Sequence, residues 1–111
     1  MKAAVIQEKE WQRTLVDLLR LYGWRVCEFR KARIKKDGQD VYRTPFGADG
    51  KGMTDLIVIK PPRVAFIENK AEGGRLSPEQ IIWREMLTAC PGVEYYLAKP
   101  SDFEQLKEVL R

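Results

Sequence analysis

Two carboxylates and a lysine stand at the ends of two apolar runs in this sequence. Asp55 directly precedes the run at residues 56–59. Glu68 directly follows the run at residues 64–67, and Lys70 stands two residues after Glu68. Carboxylate oxygens are the ligands that Mg²⁺ prefers, and a nearby ammonium group can stabilise developing negative charge. The residue types therefore suit cation-assisted hydrolysis of a phosphodiester, provided that the fold brings them together.

The same three residues also have ordinary structural explanations. An aspartate at a strand entry is often a turn residue. A glutamate and a lysine two positions apart at a strand end often form a surface ion pair that contributes little. The position of these residues in the sheet decides between the explanations.

Pro61 and Pro62 separate the two apolar runs and predict the turn of a β-hairpin. A symmetric turn places Asp55 directly opposite Glu68, with Lys70 on the same face of the sheet. A loop of odd length would shift this register. Opposed carboxylates repel each other, more so when they are partly buried, and a divalent cation between them would offset the repulsion.

The chain contains no histidine, which excludes Ser-His-Asp and Cys-His triads and the HExxH zinc motif. Cys27 and Cys90 lack CxxC spacing, which argues against a zinc site, and we expect both to be reduced and buried. The glycine-rich stretch at residues 47–52 lacks the spacing of a phosphate-binding loop.

The length of 111 residues predicts a single domain spanning residues 1–111. Hydrophobic residues make up 44% and charged residues 32% of the chain, the composition of a globular protein. We see neither a signal peptide nor an apolar run that approaches the ~20 residues of a membrane span, so we expect a cytoplasmic protein without membrane contact.

The net charge of +4 is concentrated in residues 30–51, which carry seven basic and three acidic residues. Tyr42 and Phe46 are interspersed among them. Such a stretch suits a polyanion such as DNA, because each neutralised phosphate releases counterions. A solvated loop that is basic by chance is the alternative. The basic residues are Arg30, Lys31, Arg33, Lys35, Lys36, Arg43 and Lys51.

Apolar spacing and capping patterns predict three helices. Large apolar residues recur at three- and four-residue steps over residues 6–22, and Gly23 ends this helix. Residues 77–80 read Ser-Pro-Glu-Gln, a capping box that opens a second helix reaching about residue 89. Residues 101–104 have the pattern of another capping box and predict a C-terminal helix.

Four strands are predicted between these helices. Residues 24–30 alternate apolar and polar, whereas residues 55–60 and 64–70 are apolar on both faces, as the central strands of a covered sheet are. Residues 93–98 form the fourth strand. Residues 31–53 predict a long loop with at most a short strand near residues 41–42. The order α-β-β-β-α-β-α predicts an α/β fold with a mixed central sheet of about four strands, flanked by helices.

In this order of elements, the carboxylates and the lysine resemble the motif of the PD-(D/E)xK nuclease superfamily. The chain resembles more closely the small stand-alone VRR-NUC nucleases of phages and bacteria. The resemblance covers nearly the whole chain and implies a restriction-endonuclease-like core. The matching stretches are residues 8–12, 23–26, 52–56, 67–70, 74–80 and 99–103.

The resemblance implies a role for each matching residue. Asp55 and Glu68 would bind Mg²⁺ or Mn²⁺ together with the backbone carbonyl of Asn69. Lys70 would orient the attacking water or stabilise the phosphorane. Two further catalytic residues would be Gln80, positioning water or the strand, and Glu8, adding a carboxylate. From the residues alone, these last two could equally serve only their helix starts.

The resemblance also implies the substrate and the assembly. The family cleaves DNA phosphodiester bonds, and its small members resemble Holliday-junction resolvases of DNA repair and recombination and are typically homodimers. We therefore expect an endonuclease for branched DNA. The DNA-binding residues would be the seven basic residues of segment 30–51 together with Arg75.

The sequence departs from the family pattern at two positions. Thr54 replaces a proline that supplies no ligand, so we expect little effect. Asn69 replaces an apolar residue and places a polar group on the sheet face opposite the site, which would weaken strand packing.

Two other functions stay open at this point. A catalytically inactive DNA-binding module on the same fold would bind DNA without a cation. A protein-interaction domain would use the basic segment to bind an acidic partner.

Overall fold

The helices and strands follow the predicted order, with one additional strand pair. The computed structural model describes residues 7–29, 32–43 and 46–111. No helix in these ranges is both long and apolar enough to cross a membrane. The elements are α1 (Glu8–Leu21), β1 (Arg25–Glu28), β2 (Ala32–Lys36), β3 (Gln39–Arg43), β4 (Leu56–Lys60), β5 (Arg63–Asn69), α2 (Pro78–Thr88), β6 (Val93–Ala98), a 3₁₀ turn (Pro100–Asp102) and α3 (Phe103–Val109).

The main sheet has four strands in the order β1-β4-β5-β6. The pairs β1–β4 and β4–β5 are antiparallel, and β5–β6 is parallel. The sheet is therefore mixed, and the two apolar runs are its central strands, as predicted. The α/β fold class is confirmed.

Helix α1 covers one face of this sheet. Trp11, Leu15 and Leu19 recur on one stripe of the helix and are completely or almost completely buried. They join a core cluster with alternate residues of β4 and β5, including Leu56 and Ile67. Alternate strand residues point to the same face, so the residues between them, including Glu68, point to the opposite face.

The β4–β5 hairpin has the predicted register. Leu56 pairs with Ile67, and Lys60 pairs with Arg63 across the turn at Pro61 and Pro62. The two prolines are joined by a cis peptide bond. One position beyond the Leu56–Ile67 pair, the same register places residue 55 opposite residue 68.

The prediction of a long loop over residues 31–53 was wrong for residues 32–43, although the short strand expected near residues 41–42 is present within β3. Strands β2 and β3 pair in an antiparallel hairpin that forms a separate two-stranded sheet. Its turn residues, Asp37 and Gly38, have φ angles of 53° and 77°. Asp-Gly is a favoured sequence for a two-residue hairpin turn, because both positions require positive φ. The side chains of residues 35–40 at the hairpin tip are exposed.

Two further expectations were also wrong. Ser101 does not cap α3, because a 3₁₀ turn precedes that helix and the Asp102 carboxylate accepts the Lys99 N–H at 3.1 Å. Cys27 and Cys90 are unbridged, as expected, but both are exposed. Cys27 alternates with the half-buried Val26 on β1 and so points away from the core.

Arg63 connects the hairpin turn to β6 and to the end of α3 by hydrogen bonds. Its guanidinium donates two hydrogen bonds to Glu94, at 2.8 and 2.6 Å, and a third to the Val109 carbonyl at 2.7 Å. It also stacks over the Trp24 ring, 4.7 Å from the ring centroid. Neighbouring Glu94 raises the pKa of Arg63, which stays charged.

We expect Arg63→Ala to lower the free energy of unfolding by about 2 kcal/mol, because bidentate and cation–π contacts are lost together. Arg63→Lys should recover only part of this loss, since lysine cannot make the paired contact with Glu94. Urea denaturation measures both effects, with the exposed Arg13→Ala as the control. Equal stability of the lysine variant and wild type would contradict the prediction.

Candidate active site

Asp55 is held in place by backbone groups of both neighbouring strands. Its carbonyl accepts the Phe29 N–H at 3.0 Å, which continues the β1–β4 pairing by one residue. Its Oδ2 accepts the backbone N–H of Asn69 at 2.8 Å. The side chain is half-buried. The carboxylate is therefore fixed against the end of β5 and does not point freely into solvent.

Glu68 is almost completely buried, with 2% of its surface exposed. Its Oε1 accepts a hydrogen bond from Gln80 Nε2 at 2.7 Å and lies 3.7 Å from Lys70 Nζ. Its Oε2 is buried without a hydrogen-bond donor among the described residues. An unpaired buried carboxylate oxygen is costly, so this position calls for a proton or a cation.

The two carboxyl groups lie close enough for each to change the pKa of the other. Burial, followed by the negative charge of Asp55, raises the pKa of Glu68 to about 8. Burial also raises the pKa of Asp55, although the hydrogen bond from the Asn69 backbone opposes that rise. Without a cation, the pair therefore retains a proton at neutral pH, with Glu68 as the more basic member.

Gln80 caps α2 and also contacts the carboxylate pair, while its role in positioning water or the DNA strand stays a prediction. Its side-chain Oε1 accepts the Ser77 backbone N–H at 2.8 Å. The Gln80 backbone N–H donates to Ser77 Oγ at 3.2 Å, which completes the predicted capping box. Because the amide oxygen is used by the cap, the amide nitrogen is left to donate to Glu68. The start of α2 thus supplies a polar contact to the carboxylate pair.

Lys70 follows β5 directly and is only 16% exposed. Its backbone N–H donates to the Ala98 carbonyl at 3.0 Å, which extends the β5–β6 pairing. Its positive charge lowers the pKa of both Asp55 and Glu68. The ammonium group therefore stands at the carboxylate pair, as the sequence predicted for a shared sheet face.

Glu8 lies close enough to act on the pair but does not complete a metal cluster. Its charge raises the pKa of both Asp55 and Glu68. However, no three acidic, histidine or cysteine side chains form a metal-binding group within the described ranges. A role for Glu8 as a further carboxylate at the site stays a prediction.

Asn69 points away from the carboxylate pair, towards α1. It is fully buried, and its Nδ2 donates to Gln12 Oε1 at 3.0 Å, while Gln12 in turn donates to Glu28 at 3.0 Å. Its Oδ1 has no donor in the described part of the chain. The Asn69 side chain therefore links β5 to α1 by a hydrogen bond, whereas the sequence predicted only weaker strand packing.

Thr54, the other departure from the family pattern, is also buried. Only 2% of its surface is exposed, and its hydroxyl donates to the Leu56 carbonyl at 3.1 Å. Thr54 therefore shapes the entry to β4 next to Asp55.

Sequence reasoning missed two residues near the site. Gln12 lies one helical turn after Glu8, so both share one face of α1, and this spacing was the available signal. Tyr95 has a buried hydroxyl without a partner among the described residues, and its pKa is raised to about 12 by burial and by Glu68. No local pattern distinguishes Tyr95 from an ordinary strand tyrosine.

A tightly packed loop borders the site. A Cβ atom at Gly52, where φ is +88°, would lie 2.6 Å from a backbone atom of Glu79. Only glycine permits this approach of the loop to the start of α2. Trp83 adds a hydrogen bond to the Lys51 carbonyl at 3.0 Å.

The predicted DNA-binding residues are only partly described. Lys35 and Lys36 are exposed on β2, and Arg75 is exposed in the loop before α2. Lys51 is exposed and lies 3.5 Å from Glu79. Arg30 and Lys31 lie outside the described residues, and the side chains of Arg33 and Arg43 are likewise outside the description.

The residues present fit a divalent cation with oxygen ligands. Mg²⁺ commonly uses one or two protein carboxylates and completes its shell with water and phosphate. Asp55 and Glu68 supply two carboxylates, and the buried Glu68 Oε2 lacks a partner. In a strand, N–H and C=O of one residue point to the same side, so the Asn69 carbonyl points towards Asp55 as its N–H does.

Two carboxylates at the end of a central antiparallel hairpin, with a lysine two residues further on, define a nuclease-type domain of the PD-(D/E)xK superfamily. The chain belongs to the VRR-NUC domain family, whose model matches residues 5–102. A solved structure described as a VRR_NUC domain superposes with a TM-score of 0.63 at 19% identity, over 92% of this chain and 95% of that chain. That likeness confirms the fold. No curated protein matches the sequence significantly.

Gln80 should affect stability through two separable contacts. We expect Gln80→Ala to lower the free energy of unfolding by about 1–2 kcal/mol, because the cap and the donor to Glu68 are both lost. Gln80→Glu should keep the cap but place a carboxylate against Glu68, so its metal-free stability should fall more steeply than that of the alanine variant above pH 7. Thermal denaturation in EDTA at pH 6 and pH 8 measures this. Parallel pH profiles of the two variants would contradict the assigned contact.

Proposed function

We propose that this protein is a metal-dependent endonuclease that hydrolyses phosphodiester bonds in DNA. The observation that carries the proposal is the β4–β5 register that places Asp55 opposite Glu68, with Lys70 Nζ 3.7 Å from Glu68 Oε1. Membership of a nuclease family supports the proposal. The two carboxylates and the Asn69 carbonyl would hold Mg²⁺, with Mn²⁺ as a substitute.

The chain's own residues would then divide the work of hydrolysis. Asp55 and Glu68 would hold the cation in their deprotonated forms, and the cation would supply Lewis acidity to a phosphate oxygen when bound. Lys70, whose Nζ lies 3.7 Å from Glu68 Oε1, orients the attacking water or stabilises the additional negative charge of the phosphorane. Gln80 keeps Glu68 in position through its amide nitrogen.

The proposed substrate is branched DNA, as it arises in recombination and repair. Lys35 and Lys36 at the hairpin tip and Arg75 before α2 are exposed cations that can follow a phosphate backbone. Contacts of this kind respond to the path of the backbone and not to base sequence. Selection by DNA structure is therefore the mode of recognition that these residues support.

A homodimer is proposed on the basis of an exposed apolar stripe on α2. Ile82 and Met86 lie one turn apart on this helix and are 57% and 65% exposed. A second copy would cover them and present a second catalytic site to a four-way junction. Light scattering coupled to size-exclusion chromatography should give a dimer mass for wild type and a monomer mass for the Ile82→Lys, Met86→Lys double variant.

The test of the activity uses purified protein with a four-way junction, a splayed duplex and a linear duplex of equal length. We expect cleavage with Mg²⁺ or Mn²⁺, none with EDTA, and preference for branched DNA. Binding without cleavage under every condition would favour the inactive DNA-binding module. Affinity no stronger than that of an unrelated protein of charge +4 would favour the protein-interaction domain.

A further inference from the structure

A cleft of about 260 Å³ opens directly beside Asp55. Phe29, Phe46 and Met53 are among the residues that line it, and its surface is largely apolar. The two phenylalanines are 38% and 51% exposed. Isolated exposed apolar residues are common on proteins, but two aromatic rings that line one cleft form a surface for a flat apolar ligand.

The walls of this cleft are built by specific backbone contacts. Phe29 donates its N–H to the Asp55 carbonyl, which ties one wall to the carboxylate residue. The other wall is a loop closed by the hydrogen bonds Gly50 to Gly47 and Met53 to Gly50, at 2.9 and 3.0 Å. A Cβ at Gly50 would lie 2.9 Å from the Gly47 carbonyl oxygen and 3.4 Å from the Phe46 ring. The glycine thus allows the close approach of the Gly47 carbonyl that closes the loop.

Charge and position indicate what occupies the cleft. Phe46 lies within the segment of residues 30–51 that carries the excess positive charge, and Phe29 directly precedes that segment. The cleft also borders Asp55, one of the two carboxylates at which a phosphate would be cut. A ligand that is anionic along its backbone and carries flat apolar rings satisfies both surroundings, and single-stranded DNA has this chemistry.

We propose that this cleft binds one unpaired nucleobase next to the phosphate that is cut, by stacking it on Phe46 and Phe29. This inference rests on the proposed function and refines its substrate class. Bases inside a duplex are stacked and paired, so only an unpaired or extruded base enters. The preferred DNA therefore has unpaired nucleotides at the branch point, in contrast to a fully paired junction.

The test measures DNA binding by fluorescence anisotropy in EDTA, where no cation is available for cleavage. The probes are a splayed duplex with unpaired nucleotides at the branch, the same duplex with abasic sites at those nucleotides, and a fully paired duplex. The proteins are wild type, Phe46→Ala, Phe46→Trp and, as a control for an exposed apolar residue elsewhere, Leu21→Ala. Thermal denaturation establishes that each variant is folded.

We expect Phe46→Ala to weaken binding of the splayed duplex roughly fivefold to 150-fold, the range for loss of one stacked base. Abasic sites should weaken wild-type binding by a similar factor and should have no further effect on Phe46→Ala. Phe46→Trp should retain affinity, and binding of the paired duplex should not change in any variant.

Additive effects of Phe46→Ala and abasic sites would overturn the proposal, as would an equal loss of affinity for paired DNA. Failure of the proposed function has a different signature. In that case wild type would not cleave any DNA with Mg²⁺, whatever the anisotropy measurements show. Cleavage of branched DNA together with binding that ignores the abasic sites would remove only the nucleobase cleft.

Discussion

Asp55→Asn should abolish cation-dependent cleavage and leave the metal-free protein at least as stable as wild type. Loss of one of the two proposed carboxylate ligands would remove several kcal/mol of transition-state stabilisation, so we expect the cleavage rate to fall at least about a thousandfold. The stability result has a separate cause. Asparagine Oδ1 can still accept the Asn69 N–H, and the substitution removes the negative charge that raises the pKa of Glu68.

Mg²⁺ should distinguish wild type from Asp55→Asn in thermal denaturation. A cation present at about 100 times its Kd stabilises the folded state by about 2.7 kcal/mol, which raises the melting temperature of wild type. The variant should respond much less. Asp17→Asn, on the exposed face of α1, is the control with the same change of charge. A marked loss of metal-free stability in Asp55→Asn would mean that Asp55 is structural.

Glu68→Gln should remove most of the pH dependence of metal-free stability between about pH 4.5 and 8. The pKa of Glu68 is about 8 in the folded protein and 4.5 in its ordinary state. Between these values the folded chain binds a proton that the unfolded chain has released, so stability falls as pH rises. The contribution is complete below the lower pKa and is lost as pH passes the upper one. Glutamine has no such proton.

Mg²⁺ should reverse the sign of this dependence in wild type, because a cation binds the deprotonated carboxylates and releases the proton. Urea denaturation from pH 5 to 9, in EDTA and in Mg²⁺, measures both slopes. Glu10→Gln on the exposed side of α1 should behave like wild type. Metal-free wild type that becomes more stable from pH 5 to 8 would contradict the raised pKa of Glu68.

The parts of the fold that depend on local or pairwise patterns could be predicted from the sequence. The capping box at Ser77 and Gln80 depends on residues three apart, and it was confirmed. The register of β4 and β5 followed from two apolar runs and a two-residue turn. The β2–β3 hairpin was missed although Asp37-Gly38 is a strong turn signal, because the charged residues around it were interpreted as a loop.

Features that depend on how elements pack on each other could not be predicted. Cys27 is exposed because α1 covers the other face of the sheet, and the alternation within β1 does not reveal which face is covered. The contact from Gln80 to Glu68 requires α2 to lie over the end of β5, which no local pattern specifies. The burial of Asn69 against Gln12 is a contact of the same kind.

The Gln80 amide links the opening of a helix to the occupancy of the carboxylate site. Its oxygen holds the Ser77 N–H and its nitrogen holds Glu68, so fraying of the first turn of α2 releases both groups at once. A cation that holds Glu68 in this position should therefore favour the closed helix start, and we expect it to slow hydrogen–deuterium exchange at the amides of residues 77 and 80. Exchange at these two amides would then report ion binding at the buried carboxylates.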